Sequence, residues 1–456
     1  MVPSPFAGLG RGIDKGVAGG LARLTGTAIG RYQTAVVRMG FSLAWMLFLL
    51  REWPHRQELY GPDGVWSWDM AHQLIADNHA FSVLMWTRGQ LWFEFVYVGA
   101  ILASAMLLLG WRTRTASVLF MIGVLSLQNR SVFVGDGGDN VIHLMAIYLV
   151  LTRCGQVWSL DSRRRARIAQ AGHEDSPQDS QENGQEDAPE YGEEYGQENG
   201  PEYGSEYGSE RGPKRDTTGV VLWSLLGAAL VLVTALGLLS WGWAAIFWGI
   251  WLAQAAWWAV NRYAPDREPR TVLDIFANLA HNGTLLVIIV EVCLIYATAG
   301  WYKIQGNRWQ DGTALYYPLH LDDFSPWPEL SHAMASSGLM VMVITYGTVI
   351  VQVAFPFTLF NRRVKNVLLA LMMVEHASIA VVLGLPFFSL AMITADAVFL
   401  PTGFLRWVGD RVSRRVRRIS GRTVPEPAAA AAAGAEDGAE GQPEPSADPA
   451  RSNLVG

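Results

Sequence analysis

Apolar runs separated by short polar loops follow one another along most of the chain. Ten of these runs approach or exceed the length of about 20 residues that a helix needs to cross a bilayer. They lie at residues 34–50, 91–109, 116–133, 139–152, 220–239, 241–260, 282–302, 337–359, 367–383 and 386–399. The pattern predicts an all-α fold, a polytopic transmembrane helical bundle of about ten spans. The fourth and tenth runs support their spans least because they are short.

Three polar segments divide this pattern. Residues 1–30 are rich in glycine and carry scattered basic residues, and they fit either an interfacial helix or a frayed end. Residues 162–216 contain four Glu-Tyr-Gly repeats that cannot bury a core, so they are predicted to be a disordered linker. The tail, 406–456, begins basic and then becomes rich in alanine, glutamate and proline. The membrane domain therefore comes in two parts, 31–161 and 217–405.

Composition agrees with a membrane protein. Half of the 456 residues are hydrophobic, 17% are charged, and 19 are tryptophans, which is unusual for a soluble domain. The net charge of -6 comes from acidic residues in the polar segments, and nothing indicates nucleic-acid binding. Cys154 and Cys293 have neither metal-ligand nor redox spacing, so no metal is expected. We expect a multi-pass protein of the cell membrane, in contact with the lipid bilayer.

Basic residues predict the orientation. If the amino terminus is cytoplasmic, the loops after spans two, four, six and eight and the carboxyl terminus all lie inside. These loops and the tail carry the basic clusters, as the positive-inside rule requires. Both termini are therefore predicted to be cytoplasmic. The loop after Lys303 and the turn at Asp136 then face outside.

Ionisable residues within the predicted spans are candidates for function, since they are costly in lipid. The predicted spans contain Arg38, Glu94, Asp139, His143, Glu291, Glu375, His376 and Asp396. Asp136, Asp139 and His143 have the spacing of one helix face, which suits a carboxylate that orients an imidazole for proton transfer. A structural role accounts for the same spacing: Asp136 or Asp139 would cap the helix, and His143 would be a core histidine with its hydrogen bonds satisfied.

The most distinctive stretch is residues 299–324, AGWYKIQGNRWQDGTALYYPLHLDDF. Trp301, Tyr302 and Lys303 end an apolar run, as aromatic and basic residues do at the level of the lipid headgroups. Lys303 fits an interfacial lysine whose amine extends to water. In a partly apolar cavity the same lysine becomes a usable general base, because its ammonium form is disfavoured. Trp309 fits an aromatic wall or a headgroup belt, and Gly306 and Gly312 are expected to allow tight turns.

Residues 299–317 resemble the signature of the HTTM (horizontally transferred transmembrane) domain, the membrane part of vitamin K-dependent gamma-carboxylases. Three further stretches are similar to blocks of that family: NRSVFVGDGGDNVIHLMAIYLVLTRCGQVWSLD, VQVAFPFTLFNRR and EHASIAVVLGLPFFSLAMI. The second block often carries Glu where this chain has Gln352, and the third matches His376 to the family histidine. A family histidine near the start of the fourth span has Gly138 or Asp139 in its place here.

The resemblance implies that Lys303 is the base that deprotonates a reduced quinone, such as reduced vitamin K or menaquinone, on the outer face. His376, Asp139 and His143 would be the supporting catalytic residues, and Trp301, Tyr302 and Trp309 would bind the cofactor. One hypothesis is that the protein is a carboxylase-like or epoxidase-like enzyme. The alternative is a non-catalytic membrane component in the maturation or export of a small peptide. The lumenal domain of the animal carboxylases has no counterpart after Pro401, so propeptide recognition is not expected.

Overall fold

The computed structural model describes residues 17–174, 217–265 and 267–419, and every regular element in these ranges is helical. The helices are α1 at 17–26, α2 Arg31–Arg51, α3 Arg56–Tyr60, α4 Trp68–Asn78, α5 Gln90–Leu109, α6 Thr113–Arg130, α7 Gly137–Leu151, α8 Leu160–Glu174, α9 Thr217–Ala235, α10 Trp241–Tyr263, α11 Glu268–Gln305, α12 Asn307–Gln310, α13 Pro328–Ala335, α14 Gly338–Ala354, α15 Arg362–Val382, α16 Pro386–Asp396 and α17 Thr402–Ile419. Short 3₁₀ turns connect several of them.

Among the described residues, 7 helices are long and apolar enough to cross a membrane. They are α2, α5, α9, α10, α11, α14 with the turn that follows it, and α15. This composition fits a multi-pass membrane protein and agrees with the all-helical prediction. The count of ten spans stays a prediction.

The predicted third, fourth and tenth spans correspond to α6, α7 and α16, which do not meet that criterion alone. Helices α7 and α16 fall short in length, with 15 and 11 residues, whereas α6 has the required 18 residues and falls short in composition. They lie in the interior, since α6 buries 11 of its 18 residues, α7 6 of 15 and α16 6 of 11, whereas α9 and α10 bury one residue each.

Helix α11 is much longer than the predicted span. It has 38 residues, which corresponds to about 57 Å at the helical rise, against a hydrocarbon core of about 30 Å. The prediction began at residue 282 because charged residues interrupt the apolar pattern before it. The helix begins fourteen residues earlier, with Pro269 in its first turn, where a missing N–H costs nothing. One face stays buried throughout, from Asn278 to Gly300.

The amino-terminal stretch is held by polar side chains of α11. Asn278 donates to the carbonyl of Thr25 at 2.8 Å, and Asn282 donates to those of Leu24 and Thr27 at 2.8 Å. His281 Nε2 contacts the carbonyl of Ile29 at 2.7 Å. We call Asn278, His281 and Asn282 the amino-terminal clamp. It fixes the end of α1, whose apolar side chains Val17, Leu21 and Leu24 are exposed.

Two of the predicted polar segments begin as helices. Helix α8 continues to Glu174, although a disordered linker was expected from residue 162, and residues 175–216 lie outside the described part of the chain. Of the described residues, those up to Thr402 belong to one compact unit, and those from Gly403 belong to a second. The described part of the second unit is the arginine-rich α17, and residues 420–456 are not described.

Arg38, one of the candidate ionisable residues, has a structural role. Its side chain is completely buried and donates to the carbonyls of Leu107 and Leu108 at 2.5 and 2.9 Å and to that of Trp158 at 2.8 Å. The first two carbonyls belong to the last turn of α5, where carbonyls lack the usual intrahelical donors and the Gly110 N–H reaches that of Leu107. Arg38 therefore caps α5 from the side and ties it to the loop before α8.

Replacing Arg38 with Met should destabilise the protein by about 3 kcal/mol, because the buried carbonyls lose donors that are charged. Arg51→Met, at the exposed end of the same helix, should cost less than about 1 kcal/mol. Thermal unfolding of both variants in detergent, followed by circular dichroism, measures the difference. Equal losses of stability would contradict a capping role for Arg38.

Candidate functional site

The side chain of Lys303 points into the bundle, where it begins a chain of polar groups. Its Nζ donates to Gln352 Oε1 at 2.6 Å, and Gln352 Nε2 donates to Glu375 Oε1 at 2.6 Å. The ammonium also lies 5.2 Å from the centre of the Trp309 ring, within reach of a cation–π interaction. We call Lys303, Gln352 and Glu375 the lysine chain. It links the ends of α11 and α14 to the middle of α15.

Close packing of α11 against α14 brings these residues together. Gly300, one turn before Lys303, lies so close to Val353 that an added Cβ would stand 2.5 Å from Val353 Cγ2. A larger residue at position 300 would push the two helices apart. Gln352, which is 5% exposed, is therefore held directly across from the lysine.

A second polar cluster lies deeper, on the same face of α11. Tyr296, His376 and Asp396 are between 0 and 3% exposed. The Tyr296 hydroxyl donates to Asp396 Oδ1 at 2.8 Å and lies 3.0 Å from His376 Nε2. We call these residues the tyrosine cluster. Tyr296 precedes Lys303 by seven residues, so the two groups lie about 10 Å apart along the helix.

The tyrosine cluster is incompletely paired. A phenol has one proton, and since it goes to Asp396, the oxygen must accept from His376 Nε2–H. This assignment leaves the lone pair of His376 Nδ1 free, and no described residue forms a hydrogen bond with that atom. Asp396 Oδ2 is likewise buried without a hydrogen-bond partner in the described part of the chain. Two buried acceptors therefore adjoin one hydroxyl, which is rare in a folded protein.

The start of α7 approaches this cluster through Phe388. The Phe388 ring lies 5.7 Å from the His376 ring, edge to face. A Cβ on Gly138 would stand 2.8 Å from Phe388 Cα, so α7 begins directly against α16. Gly138, which with Asp139 is one of the two residues where the resemblance expected a histidine, allows that contact.

Asp139 and His143 use other partners. Asp136 and Asp139 form a capping box at the start of α7, in which the Asp139 carboxylate accepts from the Asp136 N–H at 2.9 Å. His143 Nδ1 lies 2.9 Å from Gln128 Oε1, whose own amide donates to the Asp139 carbonyl at 3.0 Å. Among the described residues, no hydrogen bond joins the carboxylate of Asp139 to the imidazole of His143. Their spacing on one helix face did not make them a pair.

The three predicted cofactor-binding aromatic residues do not lie together. Trp301 and Tyr302 are 60% and 73% exposed and face away from the bundle. Trp309, on α12, faces the Lys303 ammonium. Gly312 has a φ of 77°, which confirms the expected tight turn, whereas Gly306 has a φ of −81°, which any residue can adopt. Only Trp309 therefore contacts the lysine chain.

Sequence analysis did not single out Tyr296 and mentioned Gln352 only as a family departure. Tyr296 could have been found, since it lies on the helix face that ends in Lys303. The partnership of Gln352 with Lys303 spans 49 positions and depends on helix packing that local patterns do not encode. Glu94 and Glu291, also candidates, lie elsewhere: Glu94 pairs with Arg56 at 3.1 Å, and Glu291 contacts Tyr148.

We compared the chain with protein-family models, with curated proteins and with solved structures, and none of the three comparisons finds a match. The geometry therefore defines the site alone. It consists of a lysine chain and a buried tyrosine cluster in a helical bundle that fits a multi-pass membrane protein.

Tyr296→Phe should destabilise the protein by about 1–3 kcal/mol, because Asp396 then loses its donor in a buried position. Asp396→Leu in the Tyr296→Phe background should restore part of that loss, since no buried carboxylate then remains unpaired. A double-mutant cycle of unfolding free energies measures the coupling of the two residues. Tyr263→Phe, at a side chain that is 74% exposed, is the control and should change little. Additive effects of the two substitutions would show that the hydrogen bond contributes nothing.

Proposed function

We propose that the protein is an HTTM-type protein of the cell membrane in which Lys303 acts as a base toward a reduced quinone at the outer face. One observation carries this proposal. A lysine at the end of an apolar helix ordinarily extends to the membrane surface. The Lys303 amine instead turns inward and bonds to Gln352 at 2.6 Å.

The lysine chain suits a proton acceptor. A base must be held where it can reach a substrate hydroxyl, and Gln352 fixes the position of the amine. The ammonium that forms on proton uptake gains from the Gln352 carbonyl, from the Trp309 ring face and from the carboxylate of Glu375 beyond Gln352. Gln352 holds Lys303 and Glu375 apart, so the amine is not directly neutralised by a carboxylate. Its charge can change with each proton transfer.

The unpaired atoms of the tyrosine cluster fit a reduced quinone, because this cofactor carries hydroxyl donors. His376 Nδ1 and Asp396 Oδ2 are acceptors without partners in the described part of the chain. Together with Lys303 and Trp309 they are the groups that would hold it. A bound reduced quinone supplies the reducing equivalents for reaction with oxygen. Trp301 and Tyr302, exposed on α11, would meet a quinone that arrives through the lipid.

The proposed arrangement includes ten spans with both termini in the cytoplasm. Its support is the charge distribution, since basic loops follow every second span. Short interior helices such as α7 and α16 cross within the bundle, where neighbouring helices replace part of the lipid contact.

Single cysteines introduced at Thr313 and Ser162, in a background without Cys154 and Cys293, test this topology. A membrane-impermeant maleimide added to intact cells should label Thr313→Cys, because its loop is proposed to lie outside. Ser162→Cys should react only after the cells are opened. The reverse pattern, or labelling of both positions in intact cells, would overturn the orientation.

Purified protein in lipid, supplied with a reduced naphthoquinone, oxygen and labelled bicarbonate, tests the chemistry. Quinone epoxide should form with the wild type and fall at least about 100-fold in Lys303→Ala, the usual loss when a general base is removed. Lys303→Arg should be equally inactive, since guanidinium does not release its proton near neutral pH. Label found in protein would add carboxylase activity.

Lys365→Ala is the control for loss of a lysine at the opposite end of the bundle, where Nζ donates to the Phe399 carbonyl. It should keep its epoxide formation once protein amounts are matched. No epoxide from a well-folded wild type would overturn the enzymatic proposal. That outcome would favour the non-catalytic role in maturation or export of a small peptide.

A further inference from the structure

The hairpin of α9 and α10 encloses an apolar groove together with α6. The groove has a volume of about 160 Å³. Its lining includes Thr115, Val118 and Ile122 of α6, which lie on one helix face, and Phe247, Ile250 and Gln254 of α10. Over these residues both helices rise by about 10 Å. The hairpin lies at the periphery, with one buried residue in each helix.

A group of arginines lies at one end of this groove. Arg114, Arg153 and Arg270 have their guanidinium carbons 4.5, 5.9 and 5.2 Å from the ring centre of Trp257. We call these three residues the arginine cage. Arg114 directly precedes Thr115, and Trp257 lies one turn after Gln254, so the cage continues the groove on both walls.

Counted over the described residues, the cage has three guanidinium groups around one indole and one carboxylate, that of Asp274. Asp274 pairs with Arg153 at 3.1 Å and with Arg270 at 2.8 Å, and it is the acidic residue that these pairs share. Arg114 is exposed, and its guanidinium lies on the Trp257 ring but makes no hydrogen bond or ion pair with a described residue. Three guanidinium groups around one indole repel one another, and an anion beside Arg114 would relieve that repulsion. Basic pockets between membrane helices bind the headgroups of anionic lipids for this reason.

We propose that the protein binds an anionic phospholipid here, with the headgroup phosphate against Arg114 in the arginine cage and an acyl chain in the groove between α6 and the α9–α10 hairpin. Arginine suits the phosphate because its planar donors match phosphate oxygens. The groove suits the chain because it is apolar along its length and lies among helices that are apolar enough to span a membrane. The site is separate from the lysine chain and does not depend on the proposed enzymatic function.

Native mass spectrometry of the full chain in detergent tests the headgroup. Phosphatidylglycerol and phosphatidylcholine with identical acyl chains are added in parallel, and the wild type should bind phosphatidylglycerol more tightly. Arg114→Gln should weaken phosphatidylglycerol binding by about fivefold, the contribution of one basic residue at a membrane surface. Binding of phosphatidylcholine should change little. Arg362→Gln, which removes an exposed arginine outside the cage, is the matched control and should bind both lipids like the wild type.

The acyl chain is tested separately. Ala229 lines the groove and its neighbour Ala228 does not, so Ala229→Trp should weaken phosphatidylglycerol binding while Ala228→Trp should not. Glycerol phosphate, which has the headgroup without chains, should not compete. Equal binding of the two lipids by the wild type, no effect of Arg114→Gln, equal effects of the two tryptophan variants, or competition by glycerol phosphate would each overturn the proposal. Gel filtration and circular dichroism confirm that every variant is folded.

Discussion

A polar group inside a bundle that fits a membrane has to find its partners within the protein, because hydrocarbon offers none. Most of the interior obeys this constraint. Arg38 satisfies the end of α5, and Arg130 donates to the carbonyls of Gly61 and Trp66, which ties the loop between α3 and α4 to α6. Gln128 similarly joins His143 to the backbone of Asp139. These contacts hold helices together. Apolar packing alone would do so less well, because lipid tails are as apolar as the side chains that they would replace.

The tyrosine cluster departs from this constraint at two atoms beside one hydroxyl, whereas other buried atoms without a hydrogen-bond partner in the described part of the chain, such as Trp45 Nε1 and Asn261 Oδ1, belong to neither cluster. His376 and Asp396 each keep one buried acceptor atom without a partner, beside a tyrosine that serves both. Leaving such atoms unpaired lowers stability, and natural proteins accept that loss mainly at functional sites. The lysine chain lies on the same face of α11, and both clusters also include a residue of α15, Glu375 in one and His376 in the other. Among the described residues, no hydrogen bond joins the two clusters.

Long apolar runs were enough to predict most helices, because a membrane demands length and hydrophobicity from the sequence itself. The prediction of α11 began too late because charged residues interrupt the apolar pattern in its first turns, and its buried face then begins with polar residues, Asn278 and His281. Residue types within spans drew attention to Lys303, His376, Glu375 and Asp396, since charge in lipid is costly. The pairing of Asp139 with His143 did not form, because nearer partners in a capping box and on α6 were available. Gln352 reaches Lys303 only after α11 and α14 pack against each other, so no local sequence pattern could predict this contact.

The amino-terminal clamp has a consequence for the order of assembly during synthesis. The carbonyls of Leu24, Thr25, Thr27 and Ile29 receive their donors from residues more than 250 positions later in the chain. While the ribosome makes the first helices, these donors do not yet exist, and α1 has nothing to hold its end. The first turns to emerge are thus among the last to be fixed. A nascent chain stopped before α11 would carry all the helices of its first half but lack the amino-terminal clamp.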